Sequence, residues 1–355
     1  MMGKKILTLL LMAVLSSPFI SYASETETSH GTTDESSVKT DIKEYINHHL
    51  EDSYDFSIWH AMGLEFPLPI ILIDEGLHVF SSSRFHHGES VAESNGKFYT
   101  IYHNKIYRTD AEGTITIDEV THHPTQVKPL DFSITKNVMS IFLFGLLIFV
   151  LFRSVARSYG DSQIPNKLGR FLEPLVIFVR DDIARPNIGE KHDRKYMGYL
   201  LTVFFFIWFI NLAGLTPLGI NVTGNIAVTL CLALITFVIT QLTAKKDYWG
   251  HIFWMPGVPV LMKFVLAPIE LLGLIIKPFS LMIRLYANMT AGHVVIMSLI
   301  GLLYIFTNWF ARGAFLGLTL FLSIIELLVA FLQAYIFTML TALYFGAAVE
   351  EHDHH

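Results

Sequence analysis

The chain has 355 residues, of which 52% are hydrophobic and 16% charged, with a mean hydropathy of +0.47 and a formal net charge of −6. Charged content lies well below the roughly 25% of soluble domains, and the apolar residues gather in long blocks; this excludes an ordinary soluble globule and defines an integral membrane protein. A single cysteine, Cys231, excludes an intrachain disulfide and a cysteine-based zinc site, and 18 Asp/Glu against 7 Lys/Arg over residues 25–130 argue against a nucleic-acid partner.

Residues 1–23 read as a signal peptide: Lys4 and Lys5 form a basic start, Ile6 to Leu15 a short apolar core, and Ser21-Tyr22-Ala23 a cleavage pattern. A retained short anchor is the alternative; in either case the segment that follows, residues 24–133, is exported. Its Ser/Thr/Glu-rich start, 24–40, has a disordered composition. Residues 41–63 could hold a short helix, and 64–121 read as β structure. Pro67–Ile73 is a strand, Lys97–Tyr102 and Ile106–Arg108 form a hairpin around His103-Asn104-Lys105, and Thr114–Ile117 is a further strand.

Residues 134–351 form the membrane domain. Asn137–Phe152 is the first span. Over 161–195, Leu168, Phe171, Leu172, Leu175, Val176 and Val179 follow helical spacing with charges on other faces, which suggests an amphipathic helix on the membrane surface. Residues 196–216 and 222–243 are the next two spans. The last blocks, 264–306 and 313–347, would measure roughly 64 Å and 52 Å as helices, against a hydrocarbon core of about 30 Å. They are expected to tilt steeply or to run partly outside the bilayer, as a hairpin joined by a turn around Asn308–Gly313. The expected fold class is an all-α polytopic membrane protein with five transmembrane helices, a surface helix and a small exported α/β or β domain. Positive charge concentrates between the first and second spans and again at Lys245, Lys246 and Lys263, which puts the N-terminus outside and the C-terminus inside.

Four ionisable groups lie in the first long block: Glu270, Lys277, Arg284 and His293. The first three are spaced by seven and share a face. Glu270 and Lys277 read equally as a helix-face pair or as part of a proton path. Arg284 is permanently charged, and a charge at membrane depth marks a functional site or a buried ion pair. In the second block Glu326 is the lone charge between Arg312 and Glu350, with Gln333 seven residues on. Gln333 could serve only as an interhelical hydrogen bond, and Glu326 as a protonated carboxyl with no transport role. In an antiparallel hairpin with Arg284 facing Gln333, His293 and Glu326 fall at one depth. Together they suit a proton relay, with Arg284 as a barrier to a proton and an attractor of carboxylates. His48-His49, His86-His87, His122-His123 and the tail His352-Asp353-His354-His355 lack a fixed ligand spacing and read as solvated loop histidines, so no metal is expected. No nucleotide-binding motif is present and no cofactor is expected.

The run Arg284-Leu-Tyr-Ala-Asn288-Met-Thr-Ala-Gly292, the later Leu332-Gln333-Ala-Tyr-Ile-Phe337, and Asn211-Leu-Ala-Gly-Leu-Thr-Pro217 resemble subunit a of the F-type ATP synthases over about residues 135–351. The resemblance implies a non-catalytic stator subunit of the bacterial inner membrane. It would work beside the rotating c-ring and the peripheral-stalk b subunits, with no catalytic residue in this chain. It implies that Arg284 is the essential arginine, that Asn288 and Gln333 are its polar neighbours, and that Ser280 and Glu270 belong to the cytoplasmic path. Many family members carry Glu nine residues after the arginine and His seven before the glutamine; here the two are exchanged as His293 and Glu326. A stand-alone ion or solute transporter and a membrane-anchored sensor are the competing classes. The first would call for an inverted repeat that the sequence lacks.

Overall fold

Alternating burial and tight turns shape the N-terminal part, and apolar runs broken by capping residues shape the rest. The computed structural model describes residues 52–350 apart from 60–63, 89, 119–123, 162–166, 217–219, 256–257 and 307. The expected signal peptide, the disordered stretch, most of the expected short helix and three of the four histidine groups lie outside these residues. The chain divides into two compact units.

The first unit includes the described residues from 52 to Leu143 together with those of 213–221. Its strands are β1 (Asp55–Trp59), β2 (Leu64–Pro67), β3 (Pro69–Ile73), β4 (Leu77–Ser81), β5 (Ala92–Ser94), β6 (Lys97–Tyr102), β7 (Lys105–Thr109) and β8 (Leu130–Asp131). They form antiparallel sheets β1-β2, β4-β3-β8 and β5-β6-β7. The expected hairpin is β6–β7, closed by His103 and Asn104 at φ of 46° and 53°, the left-handed geometry of a two-residue turn. Ile70, Leu72, Phe80, Phe85, Tyr99 and Ile106 fill the core.

Two expectations fail here. Asp55–Trp59, inside the stretch read as a helix, is a strand, because Phe56 pairs with Phe66 and the burial of Tyr54 and Phe56 alternates. Thr114–Ile117 is not a strand: the Asp110 carboxylate accepts the Thr114 N–H, and only Ile117 bridges, to Pro124. A backbone ladder then leads into the first helix. Phe132 N–H donates to Ile71, Ile134 to Pro69 and Lys136 to Ser53, and the Asn137 N–H is accepted by Asp52. Burial raises the Asp52 carboxyl above the usual range.

The helices are α1 (Lys136–Asp161), α2 (Lys167–Phe178), α3 (Arg185–Ile188), α4 (Asp193–Gly214), α5 (Ile226–Thr243), α6 (Lys246–Phe253), α7 (Val260–Ile305) and α8 (Trp309–Val349). The described residues from Phe144 on, without 213–221, make the second unit. By length and composition α1, α4, α5 and α8 can each cross a membrane. The expected single surface helix is α2 and α3 joined by a π-helical turn over Val179–Ala184. Leu172, Val179 and Ile183 are buried against the rest of the unit, while Leu168 and Phe171 are exposed. Asp181 binds both Arg180 and Arg185, and Arg185 reaches Asp193 on α4.

The two long helices are longer than expected, 46 and 41 residues, or about 69 Å and 62 Å. Their connection lies one turn earlier than Asn308–Gly313: Asn308 is the N-cap of α8 and accepts the Phe310 N–H. The core of this unit packs Phe204, Phe205, Ile207, Leu281, Leu285, Phe337 and Phe345. Near its end α8 comes so close to α3 that a Cβ at Gly346 would overlap the Asn187 carbonyl. Gly346→Ala should therefore lower the thermal stability of the detergent-solubilised protein, by about 1–3 kcal/mol in an unfolding titration.

Candidate functional site

The seam between α7 and α8 carries the polar groups. Lys277 lies over the Tyr344 ring with Nζ 5.5 Å from its centroid, and the Asn288 amide donates to Gln333 Oε1 at 2.8 Å. Farther along, His293 Nδ1 sits 3.4 Å from Glu326 Oε1. Eleven residues separate Lys277 from Asn288, and eleven separate Gln333 from Tyr344. The helices thus run antiparallel with nearly one register. His293 and Glu326 meet within two residues of that alignment, in line with the expected geometry. It differs in one respect: Gln333 takes Asn288, one turn beyond Arg284, rather than facing Arg284 itself.

His293 and Glu326 are both buried. At 3.4 Å, with neither Glu326 oxygen accepting a hydrogen bond among the described residues, their contact is an ion-pair approach rather than a formed hydrogen bond. Gly292 makes the approach possible. A Cβ there would overlap Glu326 Oε1 and lie 2.8 Å from its carboxyl carbon. The carboxyl therefore fills the space that a side chain on α7 would occupy. On the same side of α8, Thr319 and Ser323 are buried and return their hydroxyls to the carbonyls four residues back.

Arg284 is half-buried, and no hydrogen bond or ion pair holds it among the described residues. The α7 positions Ser280, Ile283, Ala287, Asn288 and Ala291 are exposed, and Arg284 borders this face of mostly small side chains. Glu270 is half-buried and does not pair with Lys277; its charge acts instead on Tyr248 of α6. A cavity of about 10 Å³, the room of a single water, lies where Lys277, Tyr344, Gln241, Tyr248 and Thr240 meet beside Pro278. Pro278 has no N–H to give the preceding turn of α7.

Gly292 stands in the motif Asn288–Gly292, yet its spatial use depends on the crossing of two helices and is absent from residue spacing. Tyr344 was legible in principle, since its distance from Gln333 repeats that of Lys277 from Asn288. Asn211, in the third motif, is buried at the end of α4 and accepts the Thr223 hydroxyl at 2.8 Å, which ties α4 to the loop before α5. Among the described residues no three His, Cys, Asp or Glu side chains are grouped to hold a metal.

Fold and site together define a polytopic helical membrane protein with a buried His/carboxylate pair and, about two and a half turns away along α7, an arginine that no ion pair holds among the described residues. The family model described as ATP synthase A chain matches residues 138–346, and the chain belongs to that family, a non-catalytic membrane component of the synthase. A second model, a domain of unknown function named DUF8433, matches residues 45–132. The chain is 40% identical over 244 residues to an ATP synthase subunit a of Chloroherpeton thalassium, covering 66% of this chain and 72% of that one. It is 37% identical over 297 residues to an ATP synthase subunit a of Chlorobium phaeobacteroides (strain DSM 266), covering 79% and 84%. An ATP synthase subunit a 2 of Chlorobaculum tepidum is 43% identical over 239 residues, 65% of this chain and 67% of the relative.

Gly292→Ala should force Glu326 away from His293. ATP-driven proton pumping by the assembled synthase is expected to fall at least about tenfold, equivalent to ~1.4 kcal/mol on the limiting step, with subunit content unchanged.

Proposed function

We propose that this chain is the proton-translocating stator subunit of an F-type ATP synthase of the bacterial inner membrane. In this reading α7 makes the fifth crossing, the N-terminus is periplasmic and the C-terminus cytoplasmic, in line with the positive charge at 153–195 and 245–263. The exposed face of α7 around Ser280, Ala287 and Ala291 lies against the c-ring, where small side chains permit close approach. Peripheral-stalk b subunits hold the chain still while the ring turns.

The observation that carries the reading is Arg284, which no hydrogen bond or ion pair holds among the described residues; it stands one turn before the Asn288–Gln333 hydrogen bond along α7, and the His293–Glu326 pair lies farther along the same helix. Protons enter from outside through His293 and Glu326, an imidazole and a carboxyl in contact within the seam. They protonate a ring carboxylate, which turns almost a full circle before it releases the proton inward, past Glu270 and Ser280. Arg284 cannot lose its proton, so it relays none; it keeps the arriving carboxylate ionised and repels a proton that would leak across. Each charge moved through 100 mV supplies about 2.3 kcal/mol to rotation. The exchange of His and Glu relative to many family members keeps one of each at the same depth.

Arg284→Ala is expected to abolish ATP-driven proton pumping in inverted membrane vesicles while the synthase still assembles. Normal pumping by that variant would sink the proposal. Glu326→Gln, which cannot ionise, is expected to slow pumping sharply at every pH rather than shift its optimum, as followed by acridine-dye quenching.

A further inference from the structure

In the N-terminal domain the sheet β4-β3-β8 has one face in the core, where Ile70, Leu72 and Phe80 are buried. Its other face is bare. The register pairs Ile73 with both Leu77 and Leu130, and Ile71 with Val79; the Phe132 N–H donates to Ile71. Two rows of three result, Leu77-Ile73-Leu130 and Val79-Ile71-Phe132, with no polar residue among the six. Five of them are between 44% and 65% exposed, and Ile71 is half-buried. An uninterrupted apolar grid of this kind marks contact with another apolar phase.

The place of the grid in the chain says which phase. Phe132 stands four residues before the first residue of α1, so the second row lies within about 14 Å of the helix start at full extension. The intervening backbone is no loose linker, since Ile134 is bonded to Pro69 and Lys136 to Ser53. The apolar exposure continues into α1, where Phe142 and Leu143 are also bare. The charges run the other way. The turn Asp74–Gly76 closes the end of the grid farther from α1, and its carboxylates are matched by Lys97 at 3.0 Å and 3.4 Å and by Arg108 at 3.7 Å. We infer that this face rests on the bilayer surface where α1 enters, with its six side chains among the lipid headgroups and upper acyl chains. The N-terminal domain is then a membrane-seated platform rather than a freely tumbling appendage.

The test uses the assembled synthase with Cys231 replaced by Ser and one new thiol, at Val79→Cys or Leu130→Cys, carrying an environment-sensitive fluorophore. Lys105→Cys on the β6–β7 hairpin is the control, and Leu77→Cys is a second grid position. The complex is placed in phosphatidylethanolamine/phosphatidylglycerol vesicles that contain nitroxide-labelled lipid. The inference predicts blue-shifted emission and loss of fluorescence to the nitroxide at the grid positions, with water-like, unquenched emission at 105. Water-like emission at the grid positions would overturn it. Blue-shifted emission without lipid quenching would overturn it as well, by assigning the face to a protein partner. Pumping by Arg284→Ala is independent of either outcome, so the two proposals fail separately.

Discussion

The antiparallel register of α7 and α8 fixes everything at the polar seam. Helices of about 69 Å and 62 Å exceed a hydrocarbon thickness of about 30 Å roughly twofold, so neither could stand upright with its whole length buried in a bilayer. Two such helices can slide past one another unless something pins them. Here the pins are Asn288 on Gln333, the Glu326 carboxyl in the gap left by Gly292, and Lys277 over Tyr344. A slip of one turn would break the hydrogen bond, drive the carboxyl into the backbone of α7 and part His293 from Glu326. Individual polar contacts between membrane helices contribute only about 0.6–2 kcal/mol, but contacts spaced along one seam act on the same degree of freedom.

Once the register is set, the electrostatics follow. His293 and Glu326 are buried against each other, so each has an ionisable neighbour within the seam. Arg284 has no such companion among the described residues, although Asn288 stands one turn along the same helix. A guanidinium can remain half-buried beside a face of small residues when another subunit supplies its anion. The proposed function therefore assigns two tasks that a single ionisable residue could not perform together: proton exchange to 293 and 326, and a charge that never exchanges to 284.

Much of this was legible in the sequence because apolar runs and caps are local. The two long helices follow from block length, and the approach of His293 to Glu326 follows from antiparallel counting. The one-turn shift that gives Gln333 to Asn288 was not legible, since it depends on how side chains interlock across the crossing. Gly292 and Gly346 are quiet in the sequence for a related reason: their value lies in a neighbour's atom that occupies the place of a missing Cβ. In the N-terminal domain the hairpin was readable from His103-Asn104, whereas β1 was concealed because its pairing partner, not its composition, makes it a strand. Thr114–Ile117 shows the reverse: the residues have strand composition, but the Asp110 side chain captures the backbone donor that a ladder would need.

The central proposal is that the anion Arg284 lacks among the described residues is a carboxylate carried by the ring. A cysteine at Ala287, exposed and one turn from Ile283 on the same face, tests it against a second cysteine beside the ring carboxylate, in a synthase free of other reactive thiols. The account predicts that mild oxidation of the assembled complex links the two subunits and that reduction releases them and restores pumping. Absence of the link, with both thiols accessible and the complex intact, would contradict it.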